Sequence, residues 1–181
     1  PNHASMLTLV TAMAVANAMH RVTGAEALIK WPNDIVINGR KICGILTEMS
    51  AQFDYINHIV IGIGINVHNE SFPEELQDHA GSLLLECGKR VHRADLIEAF
   101  LEEFERLYAI YLKTEDLSAL QEEYDQLLVN RGRQVRVLDP KEPFEGKAMG
   151  ITKKGELIVD TWESRKLVSS GEVSVRGIYG Y

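Results

Sequence analysis

The chain has 181 residues, 45% of them hydrophobic and 25% charged, with a net charge of −7. That composition fits one large globular domain, or one domain plus a small module, and no apolar run is long enough to span a bilayer. Residues 1–130 carry 9 Lys/Arg against 19 Asp/Glu and residues 131–181 carry 10 against 7, so the acidic body argues against a nucleic-acid groove, while the mildly basic tail either meets an acidic partner or is plain solvated surface.

Only Cys43 and Cys87 occur, which predicts a reducing, cytoplasmic setting without a disulfide framework, and Cys43 reads as a small buried apolar residue. The histidines show no ligand spacing, so no metal site is expected. The opening Pro1-Asn2-His3 is not a signal-peptide pattern. The chain starts without Met and enters a helical pattern almost at once, so a fragment is expected.

The first helix is predicted from about Ser5, a candidate N-cap, to Val22, with Gly24 as the stop. It is apolar around most of its circumference, the mark of a helix buried against a sheet. Glu26–Lys30 reads as a short strand. Pro32 separates it from a second strand beginning at Asp34. Asn38-Gly39 predicts a tight hairpin turn into a strand over Lys41–Met49, and a looser turn leads to a strand over Ile59–Val67. Regular alternation would put Lys41, Cys43, Ile45 and Thr47 on one face and Ile42, Gly44, Leu46 and Glu48 on the other. Gly44, Gly62 and Gly64 then leave room for a flat small molecule, or else mark a bulge or close strand packing.

After Val67 the pattern weakens, with one helical turn expected after Pro73 and an ambiguous stretch at Gly81–Leu85. Arg93–Leu112 is an amphipathic helix whose apolar face is Leu96, Ile97, Phe100, Leu101, Phe104, Leu107 and Tyr108, with the acidic face read as solvated. A further helix is expected over Leu117–Val129. Asn130-Arg131-Gly132 is the expected boundary between a domain of residues 1–130 and one of residues 131–181. In the second, five short strands (Gln134–Leu138, Phe144–Ile151, Leu157–Thr161, Arg165–Ser169, Glu172–Arg176) predict a small barrel.

Two phosphate motifs fail. Gly39 and Gly44 have P-loop spacing, but Ile45 stands where lysine must follow. Gly62-Ile63-Gly64 lacks the last glycine of a dinucleotide fingerprint. Gly-x-Ser-x-Gly is absent. What is left is a lysine, an aspartate and two asparagines inside apolar strands, where they cost free energy unless paired or used on a ligand. Lys41 is then either a fixed cation, with Asn33, Asp34 and Asn66 orienting it, or a snorkelling edge residue.

Three fragments, Lys30-Trp31-Pro32-Asn33-Asp34, Gly39-Arg40-Lys41-Ile42-Cys43-Gly44-Ile45-Leu46-Thr47-Glu48 and Gly62-Ile63-Gly64-Ile65-Asn66-Val67, resemble in order and spacing the signatures of biotin protein ligases. The resemblance extends over nearly the whole chain and includes Gly171–Gly177. It implies an α+β fold of the biotinyl/lipoyl ligase, class II synthetase-like kind: a mixed β-sheet flanked by helices, followed by a small SH3-like β-barrel. It implies ATP, biotin and Mg2+ as reactants and a biotin carboxyl carrier protein as partner, with a homodimer compatible and no membrane or nucleic acid for this chain. By resemblance Lys41 is the catalytic cation bridging biotin's carboxylate and the α-phosphate. Gly44, Leu46 and Gly62 contact biotin, Asn33 the phosphate, Asp34 holds Lys41, Asn66 reads adenine, and Arg176 reaches ATP phosphates or the carrier. The family's arginine- and glycine-rich ligand loop and its winged-helix DNA-binding domain are not in this sequence. A lipoate ligase, and a non-catalytic fragment that only associates with other proteins, are the alternative readings.

Overall fold

The computed structural model describes residues 4–52, 55–139, 142–170 and 174–177. Its elements in order are α1 (Ala4–Thr23), β1 (Leu28–Lys30), β2 (Asp34–Ile37), β3 (Arg40–Ala51), β4 (Ile56–Ile65), a single 3-10 turn (Glu74–Leu76), α2 (Leu83–Cys87), α3 (Arg93–Thr114), α4 (Gln121–Leu127), β5 (Gln134–Leu138), β6 (Phe144–Ile151), β7 (Leu157–Asp160), β8 (Arg165–Val168) and β9 (Ser174–Gly177). α1 begins at Ala4, so Ser5 lies inside it and does not precede it.

The first sheet has four strands in the order β1-β2-β3-β4. Its ladders are all antiparallel, and the parallel pairings Ile29 with Leu128 and Lys41 with Ala80 are isolated bridges. The expected mixed sheet is therefore corrected to an antiparallel one. One face of it is covered by α1, whose Val10, Met13, Ala14 and Ala16 are fully buried because nearly its whole circumference is apolar. α3 packs on α1, and Phe100, Phe104, Tyr108 and Tyr111 form a row with centroid spacings of 5.7, 5.6 and 6.3 Å. Ile97 and Leu101, read as core positions, are exposed. The acidic face of α3 is partly paired rather than simply solvated. Arg21 bonds Glu102, and Arg106 holds Glu103 and Glu123 at 3.0 and 2.8 Å.

The second sheet has five strands in the order β8-β7-β6-β5-β9. The expected barrel is overturned. Among the described residues β8 pairs with β7 and β9 with β5, with no ladder between β8 and β9 to close the sheet. Alternation and turn residues report local strand character; closure depends on whether two edge strands meet, which neither signal encodes.

The helix expected over Leu117–Val129 is shortened to α4. Leu117 N–H donates to Lys153 O (2.8 Å) and Asp116 Oδ1 accepts from Ser118 N (2.9 Å), so the start of that stretch is spent on turns. Gln121 and Asp125, one helical turn apart on α4, clasp a single β6 residue: Gln121 Nε2 donates to Ile151 O at 2.5 Å and Ile151 N–H to Asp125 Oδ1 at 2.9 Å. Burial holds the Asp125 carboxyl above its usual range, opposed by the Ile151 N–H and by Arg131. The buried apolar side chains form one cluster running from α1 and β1–β3 through Leu117 and Leu120 to β5–β7.

Tyr124 is fully buried, and its hydroxyl has no hydrogen-bond partner among the described residues. A buried hydroxyl left unpaired costs free energy that a phenyl ring does not. Tyr124→Phe is expected to stabilise the protein by about 1 kcal/mol, read as a higher urea midpoint at unchanged slope; a lower midpoint would show that the hydroxyl is satisfied.

Candidate functional site

The site begins at the β2–β3 hairpin. Asn38 and Gly39 both have positive φ (52° and 77°), the type I′ geometry that an Asn-Gly pair favours. The turn brings Lys41 back alongside β2. Ile35 pairs with Cys43 but Val36 pairs with Lys41, so Ile42 is an extra residue bulged out of the ladder. A bulge breaks strict alternation. Lys41 is therefore not on the face of Cys43, Ile45 and Thr47, as regular alternation would have it. Its side chain lies over Gly44: a Cβ at Gly44 would stand 3.2 Å from Lys41 Cε and 3.3 Å from Nζ. Asp34 is directly opposite Gly44 on β2, and its Oδ1 accepts from Lys41 Nζ at 2.6 Å. The lysine side chain is 42% exposed and the aspartate 17%, so the ammonium is oriented by a partner yet open to a ligand. Its main chain is fixed as well, with Lys41 N donating to His79 O (2.7 Å) and Gly81 N to Lys41 O (2.9 Å).

Cross-strand register carries this face on to β4. Gly44 pairs with Gly64, Leu46 with Gly62, and Glu48 with Val60. Gly62 and Gly64 are exposed, as is Leu46 at 64%. A Cβ at Gly62 or Gly64 would meet nothing nearer than a backbone oxygen at 3.7 Å, an ordinary contact. Internal packing therefore does not require glycine at either position. The physical effect of the glycines is to leave a smooth floor beside the Lys41–Asp34 pair. Such a floor, with one apolar side chain on it and a cation at its end, suits a flat apolar molecule that ends in an anion.

The two asparagines have structural partners. Asn33 Nδ2 donates to Ile45 O and Ile45 N to Asn33 O, both at 2.9 Å, so the loop is tied to β3. Asn66 Nδ2 donates to Gly81 O at 3.1 Å, and its backbone N to Ile42 O at 2.9 Å. Arg176 sits on β9 opposite Arg136; its side chain, like Gly171 to Val173 of the final motif, lies outside the described residues. Cys43 is buried, and burial pushes its thiol up to about 12 with a smaller push from Asp34, so it is an inert neutral side chain at ordinary pH. No group of three or more His, Cys, Asp or Glu among the described residues could hold a metal ion.

An open apolar groove of about 680 Å³ lies elsewhere, on the helix-covered side, lined by Leu7, Ile59, Ile61, Ile63, Phe100 and Phe104 among others. Its lining contains no charged group, so the Lys41 face is the better candidate for chemistry. Sequence reading named Trp31 only as part of a motif. The structure gives it a partner, Gly155 O at 3.0 Å, which no local pattern signals.

Comparison with known proteins bears on this geometry. The profile of the biotin/lipoate A/B protein ligase family matches residues 1–66, and that of the biotin protein ligase C terminal domain matches residues 132–176. The chain is 39% identical over 171 residues to the bifunctional ligase/repressor BirA of Bacillus spizizenii, covering 93% of this chain and 52% of that protein. It is 31% identical over 172 residues to the biotin--[acetyl-CoA-carboxylase] ligase of Mycobacterium tuberculosis, covering 92% and 61%. The structure of the biotin protein ligase from Aquifex aeolicus in complex with biotin and ATP superposes with a TM-score of 0.83 at 28% identity, covering 96% of this chain and 72% of that one. The chain spans about half the length of the first of these relatives.

Proposed function

The chain belongs to the biotin protein ligase family, and from that premise we propose that its Lys41 face serves the ATP-dependent activation of biotin and its transfer to a lysine of a biotin carboxyl carrier protein. In the first step a carboxylate oxygen of biotin attacks the α-phosphorus of ATP. The bond to the bridging oxygen breaks, and pyrophosphate leaves with its electron pair. In the second, the carrier's lysine amine attacks the acyl carbon of biotinyl-AMP, AMP leaves, and an amide is formed. The first step brings two anions together and builds negative charge at phosphorus, so a fixed cation is the element the chemistry most needs.

The observation that carries this reading is the Ile42 bulge, which sets the Lys41 ammonium 2.6 Å from Asp34 and over the glycine floor. Biotin's ureido ring would lie on Gly44, Leu46 and Gly62 with its valeryl carboxylate toward Lys41. Asp34 would hold the ammonium until the α-phosphate arrives. Asn33 would approach the phosphate and Asn66 the adenine edge through whatever capacity their backbone bonds leave. Arg176 would come from the second sheet. ATP enters as its magnesium complex; with no carboxylate cluster in the described site, the ion would be held mainly by the phosphates of the substrate itself. A reducing, cytoplasmic setting suits a chain whose cysteines are both free.

Pyrophosphate release on mixing the protein with biotin and ATP tests the proposal. Release with biotin and not with lipoate is expected; release with lipoate alone would move the assignment to a lipoate ligase, and no release with either would leave an association role. Asp34→Asn refines the test. A half-exposed ion pair adds little to stability, so the variant should keep its melting temperature while adenylation slows by about tenfold from misplacement of the ammonium. An unchanged rate would show that Lys41 is held without Asp34.

A further inference from the structure

We propose that Trp31 is a positioning residue through which the second sheet sets the Asn33–Asp34 loop and, through it, Lys41; the inference rests on the reading of Lys41 given above. Trp31 is 2% exposed and its indole N–H donates to Gly155 O at 3.0 Å across 124 residues of sequence. Gly155 lies in the turn between β6 and β7. That turn closes on itself through Thr152 N to Glu156 O and Gly155 N to Thr152 O, both 2.8 Å, with Thr152 Oγ1 accepting from Lys154 N and Glu156 N.

The turn is gripped from outside as well. A Cβ at Gly155 would stand 3.1 Å from Leu9 Cδ2 and 3.3 Å from Leu117 Cδ1, and Lys153 O takes the Leu117 N–H. α1, Leu117 and Trp31 thus hold a rigid turn of the second sheet. On its other side Trp31 leads through Pro32 to Asn33, which makes two hydrogen bonds with Ile45, and to Asp34, which pairs with Gly44 and holds the Lys41 ammonium. Residues 31–33 lie between β1 and β2 and belong to neither ladder, so the loop takes its position from the Trp31 and Asn33 side-chain bonds together with the Ile45 N–H to Asn33 O bond.

A ring that only filled space would need no particular donor. A buried indole N–H must find an acceptor, and here the acceptor belongs to the other sheet. The second sheet therefore acts on the reaction without touching the reactants through this path. It fixes the segment that aims the cation, and a displacement of about 1 Å in such a segment is enough to slow a reaction strongly.

The test compares Trp31→Phe, which removes the donor and keeps an aromatic ring, and Gly155→Ala, strained at a φ of +82° and crowding Leu9, with Leu107→Val in α3 as a destabilised control whose site is remote in sequence from the loop. They are made in the protein as it exists. Two quantities are read: hydrogen exchange of the Ile45 amide, which bonds Asn33 O, and the steady-state constants of pyrophosphate release. In either loop variant Ile45 is expected to exchange about tenfold faster than in the control, and kcat to fall by about tenfold with KM for biotin nearly unchanged, the signature of lost alignment rather than lost binding. If Ile45 exchange and kcat simply follow the control at equal melting temperature, the indole is packing alone and the inference is overturned. A wild-type protein that releases no pyrophosphate sinks the ligase reading instead, and the exchange of Ile45 still decides whether the two sheets are coupled at Trp31.

Discussion

Lys41→Ala should lower biotinyl-AMP formation by roughly 10³-fold, the upper range for removing one preorganised group that stabilises developing negative charge. The fold should survive. The lysine side chain is 42% exposed, so little stability is tied up in its pairing. Asp34 would then be left facing the site as an unbalanced carboxylate, adding a repulsive charge where two anions must already meet. Lys41→Arg should recover little, because a planar guanidinium is wider than an ammonium and spreads its charge away from the point where the lysine Nζ stands over Gly44. The readout is pyrophosphate exchange with biotin and ATP, together with melting temperature. Near-normal exchange by a folded Lys41→Ala protein would remove the central element of the proposed mechanism.

Gly150→Ala should destabilise the protein by about 3 kcal/mol, combining a backbone conformation costly for any residue with a side chain with overpacking against α4. Gly150 has φ +147°, and a Cβ there would lie 2.7 Å from Asp125 Cγ and 2.8 Å from Oδ1. The collision cannot be relieved cheaply. Asp125 accepts the Ile151 N–H, and Ile151 O is held in turn by Gln121. For a chain of this size the loss corresponds to a melting temperature lower by roughly 10 °C. Pairing the change with Asp125→Ala should return part of the loss by opening the space while leaving the backbone term, a coupling that a double-mutant cycle measures. A melting temperature shifted by less than about 2 °C would mean that α4 and β6 can move apart, against the clasp described here.

Several elements were legible in the sequence because their signals are local. The Asn38-Gly39 turn, the all-round apolar α1 and the amphipathic α3 follow from periodicity and turn chemistry over a few residues. The lysine, aspartate and asparagines inside apolar strands stood out because polar groups there must be accounted for, and the structure places Lys41 and Asp34 on one face with Gly44, Gly62 and Gly64. Other features were misread for a common cause. Strict alternation put Lys41 with Cys43 and Ile45, whereas the Ile42 bulge turns it onto the glycine floor. A bulge is an event in pairing with β2, and nothing in Arg40-Lys41-Ile42-Cys43 announces it. Leu117 looked helical by its apolar spacing but is claimed by Lys153 O from the second sheet.

The sequence by itself determined most of the elements, the family and the residue types offered around Lys41, because propensity, hydrophobic period and motif spacing are all properties of neighbours along the chain. Only the tertiary structure decided that the second sheet stays open, that Lys41 shares a face with Gly44, and that Trp31 reaches Gly155. Each of these is a pairing between atoms far apart in sequence, chosen by which strands, turns and buried donors meet once the core has formed.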